Sequence, residues 1–307
     1  MKKMNVNLWG TIFGILLLSA CSSGGGDVPE PTPTPPKPPV EKKIPINLNC
    51  GVSSRVTDTS YESGDKVGLY VVNYDGENAG TLQVNGNHVN NVAFTYDGTN
   101  WNSGTSLYWK DDKTKADFYV FYPYGEVKSV TEHLFSVKSD QSSSASYKAS
   151  EFLYGTSKNV APKESVVNVT TYHLMSCAVI TLVAGDGFSD TDLADENVSM
   201  SINGLRTDSK VNLRTGEVEA TGEVHSMIPL NSDGTYKALV VPQTVSAEDF
   251  ISIVIDNQTY KMAKDDFTFV SGKRHSFTVT VSKKEGGINV NIADWEDDGI
   301  DNGGSAE

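Results

Sequence analysis

Apolar residues in this chain alternate with polar ones over short stretches, and that period of two restricts the fold more than any other feature. Ile44, Ile46, Leu48, Cys50 and Val52 alternate, as do Ile251, Ile253 and Ile255, and again Phe277, Val279 and Val281. Residues two apart share one face of a strand, so each stretch reads as a strand with one buried face. The stretches are rich in Val, Ile, Thr, Tyr and Phe, which suit a pleated surface. Turn pairs punctuate them at Asp75-Gly76, Asn85-Gly86, Asp97-Gly98, Asn203-Gly204 and Asp233-Gly234, each read as a hairpin turn. No stretch keeps a helical period for three turns, and residues 246–250 offer one turn at most. Residues 166–183 read as one or two long strands. The expected class is all-β, with two tandem antiparallel β-sandwich domains.

The first residues belong to export, not to the fold. Lys2 and Lys3 precede an apolar stretch over residues 8–18, and Leu18-Ser19-Ala20-Cys21 places small residues before a cysteine. A run this short with these flanks is a signal peptide, not a spanning helix. The pattern predicts a lipoprotein cut before Cys21 and lipidated there. Ser22 and Ser23 lack the acidic residue that would suggest retention at the inner membrane, so the cell outer membrane is the expected location. Residues 1–20 are thus the signal and 21–43 a Gly/Pro-rich linker. Its proline-dense part, residues 28–40, spans about 40 Å as polyproline II. The remaining length of about 260 residues suits two domains, divided here into 44–165 and 166–307, the second ending in an acidic tail.

Charge and motifs exclude much else. The net charge of −14 supplies no basic stripe for phosphates, so nucleic acid is not an expected partner. With Cys21 lipidated, only Cys50 and Cys177 remain, too few for a disulfide scaffold. They are expected to be free, buried and far apart. HExxH, GxSxG, CxxC and Walker patterns are absent, and five histidines are scattered without ligand spacing. The tail carboxylates Asp294, Glu296, Asp297, Asp298 and Asp301 lack the spacing of a calcium loop. No catalytic residue, metal site or cofactor is expected, and the chain does not read as an enzyme. One aromatic group, Trp101, Trp109 and Tyr124, is a candidate sugar platform if exposed. The alternative is core packing, since ADFYVFYPY (residues 116–124) can fill both faces of a buried strand.

The order of motifs resembles the fimbrillins, subunits of the type V pili of gut and oral anaerobes. It runs from Arg55-Val56-Thr57 through GDKVGLYV (64–71), Trp101, Leu107-Tyr108-Trp109 and ADFYVFYPY (116–124) to SDQS (139–142). It continues through YHLMSCAVITL (172–182), LVVPQ (239–243), SGKRHSFTVTV (271–281) and INVNIADW (288–295), and so covers residues 55–299. The resemblance implies transthyretin-like sandwiches, a lipoprotein precursor and assembly by strand exchange after proteolysis behind an arginine. Its partners would be other pilin subunits and a host or bacterial surface ligand, on a cell-surface fimbrium.

The residues carry that mechanism independently. Ile44, Ile46, Leu48, Cys50 and Val52 form an amphipathic strand directly before Arg55. Docking it would contribute on the order of 7–15 kcal/mol as an upper bound, and removing it would open an apolar groove. Of four arginines, Arg206, Arg214 and Arg274 lie near expected turns of the second block, and only Arg55 separates a removable strand from the body. A cut between Arg55 and Val56 is expected. The acidic, glycine-rich end after Trp295 is no donor strand. The chain therefore donates residues 288–295 or accepts without donating, as a tip or minor subunit would.

Overall fold

The computed structural model describes residues 43–53, 60–193 and 198–283. Among them the backbone is overwhelmingly β. A seven-stranded sheet takes, in spatial order, β1 (Leu48–Val52), β8 (Val167–His173), β7 (Leu153–Val160), β5 (Ala116–Tyr122), β2 (Lys66–Asn73), β3 (Val89–Tyr96) and β4 (Trp101–Ser103). A second sheet runs β11 (Val218–Met227), β10 (Ser199–Val211), β14 (Gln243–Ile255), β15 (Gln258–Phe269), and β6 (His133–Ser136) also pairs with β10. A third runs β12 (Leu230–Ser232), β13 (Thr235–Val240), β9 (Ser176–Ala184), β16 (Arg274–Val281). The strand β8, beyond residue 165, thus belongs to the first sheet, and β6, before it, to the second.

Two of the three sheets are mixed, which corrects the purely antiparallel expectation. β1 lies parallel to β8, and β16 parallel to β9. Parallel neighbours cannot be joined by a tight turn, and both pairs are indeed far apart in sequence.

Burial explains the longest apolar runs. β2 and β5 are covered on both faces. Val67, Leu69, Val71, Phe118 and Val120 enter a core shared with Leu48, Phe94 and Trp101. Their alternates Tyr70, Val72, Tyr119 and Phe121 join a larger core with the second and third sheets, including Ile180, Ile202, Phe250 and Val279. A strand covered on both sides loses its polar alternation, hence GLYVV and FYVFY.

Two expectations about local structure change. Asn203-Gly204 makes no hairpin; it lies inside β10, where the register with β11 shifts between Ile202 and Leu205. Gly204 has φ 76° there, the conformation of a bulge, which absorbs one extra residue without ending the strand. Asp233-Gly234 does turn a hairpin, β12 to β13, with φ of 52° and 77°. The residues 246–250 are part of β14, not a helical turn. A short helix forms instead at α1 (Ser144–Lys148), capped by the Ser143 hydroxyl, which accepts from the Ser146 N–H at 3.1 Å. A second, α2, spans Asp190–Leu193.

His275, on β16, gives this core a pH dependence. Its ring meets Phe267 and Phe269 edge-on, each at 5.4 Å, and the Val270 N–H donates to its Nε2 at 3.0 Å. Burial lowers its pKa below the usual imidazole value, and burial does the same to His133. Below about pH 6.5 the unfolded chain therefore binds protons that the folded chain refuses, and stability falls with pH. Melting temperature should drop from pH 7.5 to pH 5.5, and a His133→Gln, His275→Gln variant should show a shallower drop. Equal slopes would assign the loss to other groups.

Candidate functional site

The seven-stranded sheet curls until its two ends meet, and β1 with its lead-in closes the seam. On one side β1 pairs with β8 from Leu48↔Val167 to Val52↔Thr171. The Val167 N–H donates to the Asn47 carbonyl at 2.8 Å, and the Ser53 N–H to the Thr171 carbonyl at 2.9 Å. On the other side the chain after β4 reaches across. The Trp109 N–H donates to the Ile44 carbonyl and the Ile46 N–H to the Leu107 carbonyl, both at 2.9 Å. The Trp101 indole N–H donates to the Cys50 carbonyl at 3.1 Å.

Period two then decides which side chains β1 buries. Ile46, Leu48 and Cys50 are 5–6 % exposed and share a core with Leu69, Phe94, Trp101, Phe118 and Val169. Ile44 packs against the same core and is half-buried, as is Val52. The alternates face out: the Asn47 amide donates to the Glu164 carbonyl and the Asn49 amide to Asn168 Oδ1, each at 3.1 Å. Without β1, β8 would present an unpaired edge beside an apolar slot, the arrangement that recruits another strand.

Behind β1 the end of the strand is pinned from the body. Thr171 Oγ1 donates to the Gly51 carbonyl at 3.1 Å and lies 2.9 Å from the Tyr61 hydroxyl. Tyr61 also meets the Trp101 ring edge-on at 4.7 Å. Burial pushes the Tyr61 hydroxyl pKa well above its ordinary value, so it remains a proton donor. Neither Tyr61 nor Thr171 was marked by any sequence pattern. Ser53 and Ser60 flank the segment that contains Arg55 and Val56; those two residues, Cys21 and residues 288–295 lie outside the described residues.

The three-ring sugar platform is corrected. Trp101 and Trp109 are 6 % and 5 % exposed, and only Tyr124, at 41 %, reaches the surface. The indoles are consumed by packing, Trp101 against Tyr61 and Tyr96 and Trp109 against Phe118 at 5.4 Å. Cys50 and Cys177 are both free and buried, on β1 and β9, in different sheets. Burial raises both thiol pKa values, so they pack as small apolar groups and not as nucleophiles. Among the described residues, no cluster of His, Cys, Asp or Glu could hold a metal ion, and no helix is long and apolar enough to cross a membrane.

Several known proteins are similar to this chain over most of its length. A protein of Bacteroides uniformis proposed as fimbrium subunit Fim1C is 25 % identical over 302 residues, covering 92 % of this chain and 93 % of its own. Two crystal structures described as proposed cell adhesion proteins share the fold. One from Bacteroides ovatus has TM-score 0.65 and 16 % identity, covering 82 % of this chain and 97 % of its own. One from Bacteroides uniformis has TM-score 0.61 and 19 % identity, covering 82 % and 98 %. A sequence model described as fimbrillin-like matches residues 54–295. By that match, which spans most of its length, the chain belongs to the fimbrillin-like family.

Proposed function

We propose that this protein is a structural subunit of an adhesive cell-surface fimbrium, assembled by strand exchange into the slot now filled by β1. One observation carries the proposal: β1 closes a curled sheet, buries three side chains, and is the first strand before an arginine. In this reading the precursor is cut before Cys21, lipidated there and held at the outer membrane. A second cut, between Arg55 and Val56, severs β1 from the body. A strand from another subunit then takes its place, pairing with β8. The parallel pairs β1–β8 and β9–β16, each joining the first and last strands of one half, support transthyretin-like sandwiches in both halves. The family model begins at residue 54, directly behind β1, which fits a body that functions without that strand.

The test is Arg55→Ala in cells that make the fibre. The variant should accumulate as uncut monomer in the membrane fraction, with fibre incorporation reduced at least about tenfold, since an uncut β1 stays covalently attached and re-docks. Fibres containing Arg55→Ala protein at the wild-type level, with the segment before Val56 still attached, would remove the cut from the mechanism.

A further inference from the structure

A cleft of about 440 Å³ opens where β2 ends, and none of its lining residues belongs to the slot of β1. Asn73 lines it from the strand, Thr81, Gln83, Asn87 and His88 from the loop that leads to β3, and Lys110 from the segment before β5. Four contacts fix that loop. Leu82 is fully buried in the larger core, and its carbonyl accepts from Arg214 Nε at 2.9 Å. At Gly80 the loop lies so close to β2 that a Cβ would come within 2.6 Å of the Asn73 carbonyl oxygen. Asn87 Nδ2 donates to the Gln83 carbonyl at 2.7 Å, and Asn87 Oδ1 accepts from the Gln83 N–H at 3.0 Å. His88 Nε2 lies 2.7 Å from the Tyr108 carbonyl oxygen. The wall is therefore in place before a ligand arrives, and binding there need not order it.

The loop spends Asn87 and His88 on its own shape and leaves the other polar groups unspent. Among the described residues the side chains of Thr81, Gln83 and Lys110 make no hydrogen bond or ion pair, and Asn73 Oδ1 is buried without a hydrogen-bond partner. No carboxylate lines the cleft, although the chain carries 39 acidic residues against 25 basic ones. Val72 is the one apolar side chain in the lining, so an apolar ligand would find little to cover. A ring of hydroxyls would find a hydroxyl, two amides and an ammonium. The single ammonium matches a single negative charge, and the net charge of −14 repels a polyanion. We infer that this cleft binds a saccharide unit that bears a carboxylate, as uronic and sialic acids do. Lys110 meets the carboxylate, and Asn73, Thr81 and Gln83 meet the ring hydroxyls. The inference rests on the adhesive part of the reading above, whose site and ligand class it names, and on no step of strand exchange.

The test titrates the full, uncut chain with digalacturonate and with sialyllactose, each beside its own methyl ester, and follows the amide signals by NMR. At least one of the two acids should bind and shift the signals of residues 80–88. Its methyl ester, which keeps the rings and removes the charge, should bind about two- to fivefold more weakly, the worth of one exposed ion pair. Lys110→Gln should weaken the acid by the same factor and leave the ester unchanged, a split that a merely structural lysine would not produce. Thr81→Trp, which fills the cleft from an exposed position, should weaken the acid at least about tenfold. Failure of both acids to bind overturns the site. Equal binding of acid and ester, or of wild type and Lys110→Gln, overturns the carboxylate assignment. A Thr81→Trp chain that binds as wild type does places the ligand elsewhere and overturns the site. Both variants should enter fibres at the wild-type level, and their loss from fibres would assign the cleft to assembly and overturn the ligand reading. The Arg55→Ala experiment reads fibre assembly without any sugar, so failure here and failure there are told apart.

Discussion

Replacing Gly155 by valine should lower the melting temperature by about 6–12 °C, whereas Gly51→Ala should move it by no more than about 2 °C. Gly155 sits on β7, where a Cβ would run into the Thr170 carbonyl oxygen, with the Thr170 carbonyl carbon at 2.9 Å and the Thr171 Cα at 3.0 Å. Those atoms are backbone of β8 and cannot swing aside as a flexible side chain does. The strand itself must shift, and overpacking of this kind costs about 1–3 kcal/mol, with backbone obstruction at or beyond the upper end. For a body of this size each kcal/mol corresponds to about 2–4 °C. The same β8 residues are the partners of Gly51 and Val52, so the variant should also speed hydrogen exchange across β1. Thermal unfolding of the two variants beside the wild type decides the matter. Equal melting temperatures for Gly155→Val and Gly51→Ala would mean that β7 and β8 approach less closely than described.

Leu48→Asp in the uncut chain should undock β1 while the rest of the body stays folded. A lone carboxylate among Leu69, Phe94 and Phe118 has no partner there, and an unpaired buried charge costs several kcal/mol. The strand has an alternative, because it is the first strand of the described residues, stands at the end of its sheet's order and can peel away into water. The cost of the substitution is therefore capped by what docking β1 contributes. Three buried and two half-buried apolar side chains put that cap on the order of 5–10 kcal/mol, as an upper bound. Hydrogen exchange should show residues 48–52 unprotected and β9, β10 and β14 still protected. Protection of residues 48–52 at the wild-type level would sink the view of β1 as a separable strand.

The strand pattern was legible because β1, β14 and β16 each have one wet face, and alternation survives only there. In β2 and β5 both faces are dry, so the sequence marks burial without marking which neighbour lies on which side. Trp101 and Trp109 left two readings open, sugar platform or core packing, for a related reason, and packing is what the fold shows. An indole looks the same in sequence whether it lines a sugar site or plugs a seam, and the difference arises only when β4 curls round to meet β1. Thr171 and Tyr61 are 110 residues apart, and no local period links positions that the fold joins by one hydrogen bond. Asn203-Gly204 misled because the same φ > 0 that turns a hairpin also makes a bulge. No sequence pattern marks Asn47 and Asn49, and only their partners Glu164 and Asn168 give them a role.

The closure of the seam by two indoles makes the protein its own optical reporter. Trp101 and Trp109 are the tryptophans of the described residues, and both touch the closing segment, through Cys50 and Ile44. Their emission therefore reads a single event. While the slot is filled, both indoles are buried, and the Trp101 N–H donates to the Cys50 carbonyl; when it empties, water reaches them and the emission moves to longer wavelength. Vacancy and refilling could thus be timed in a stopped-flow cell without attaching any dye, and the lifetime of the open subunit would become a number that can be measured.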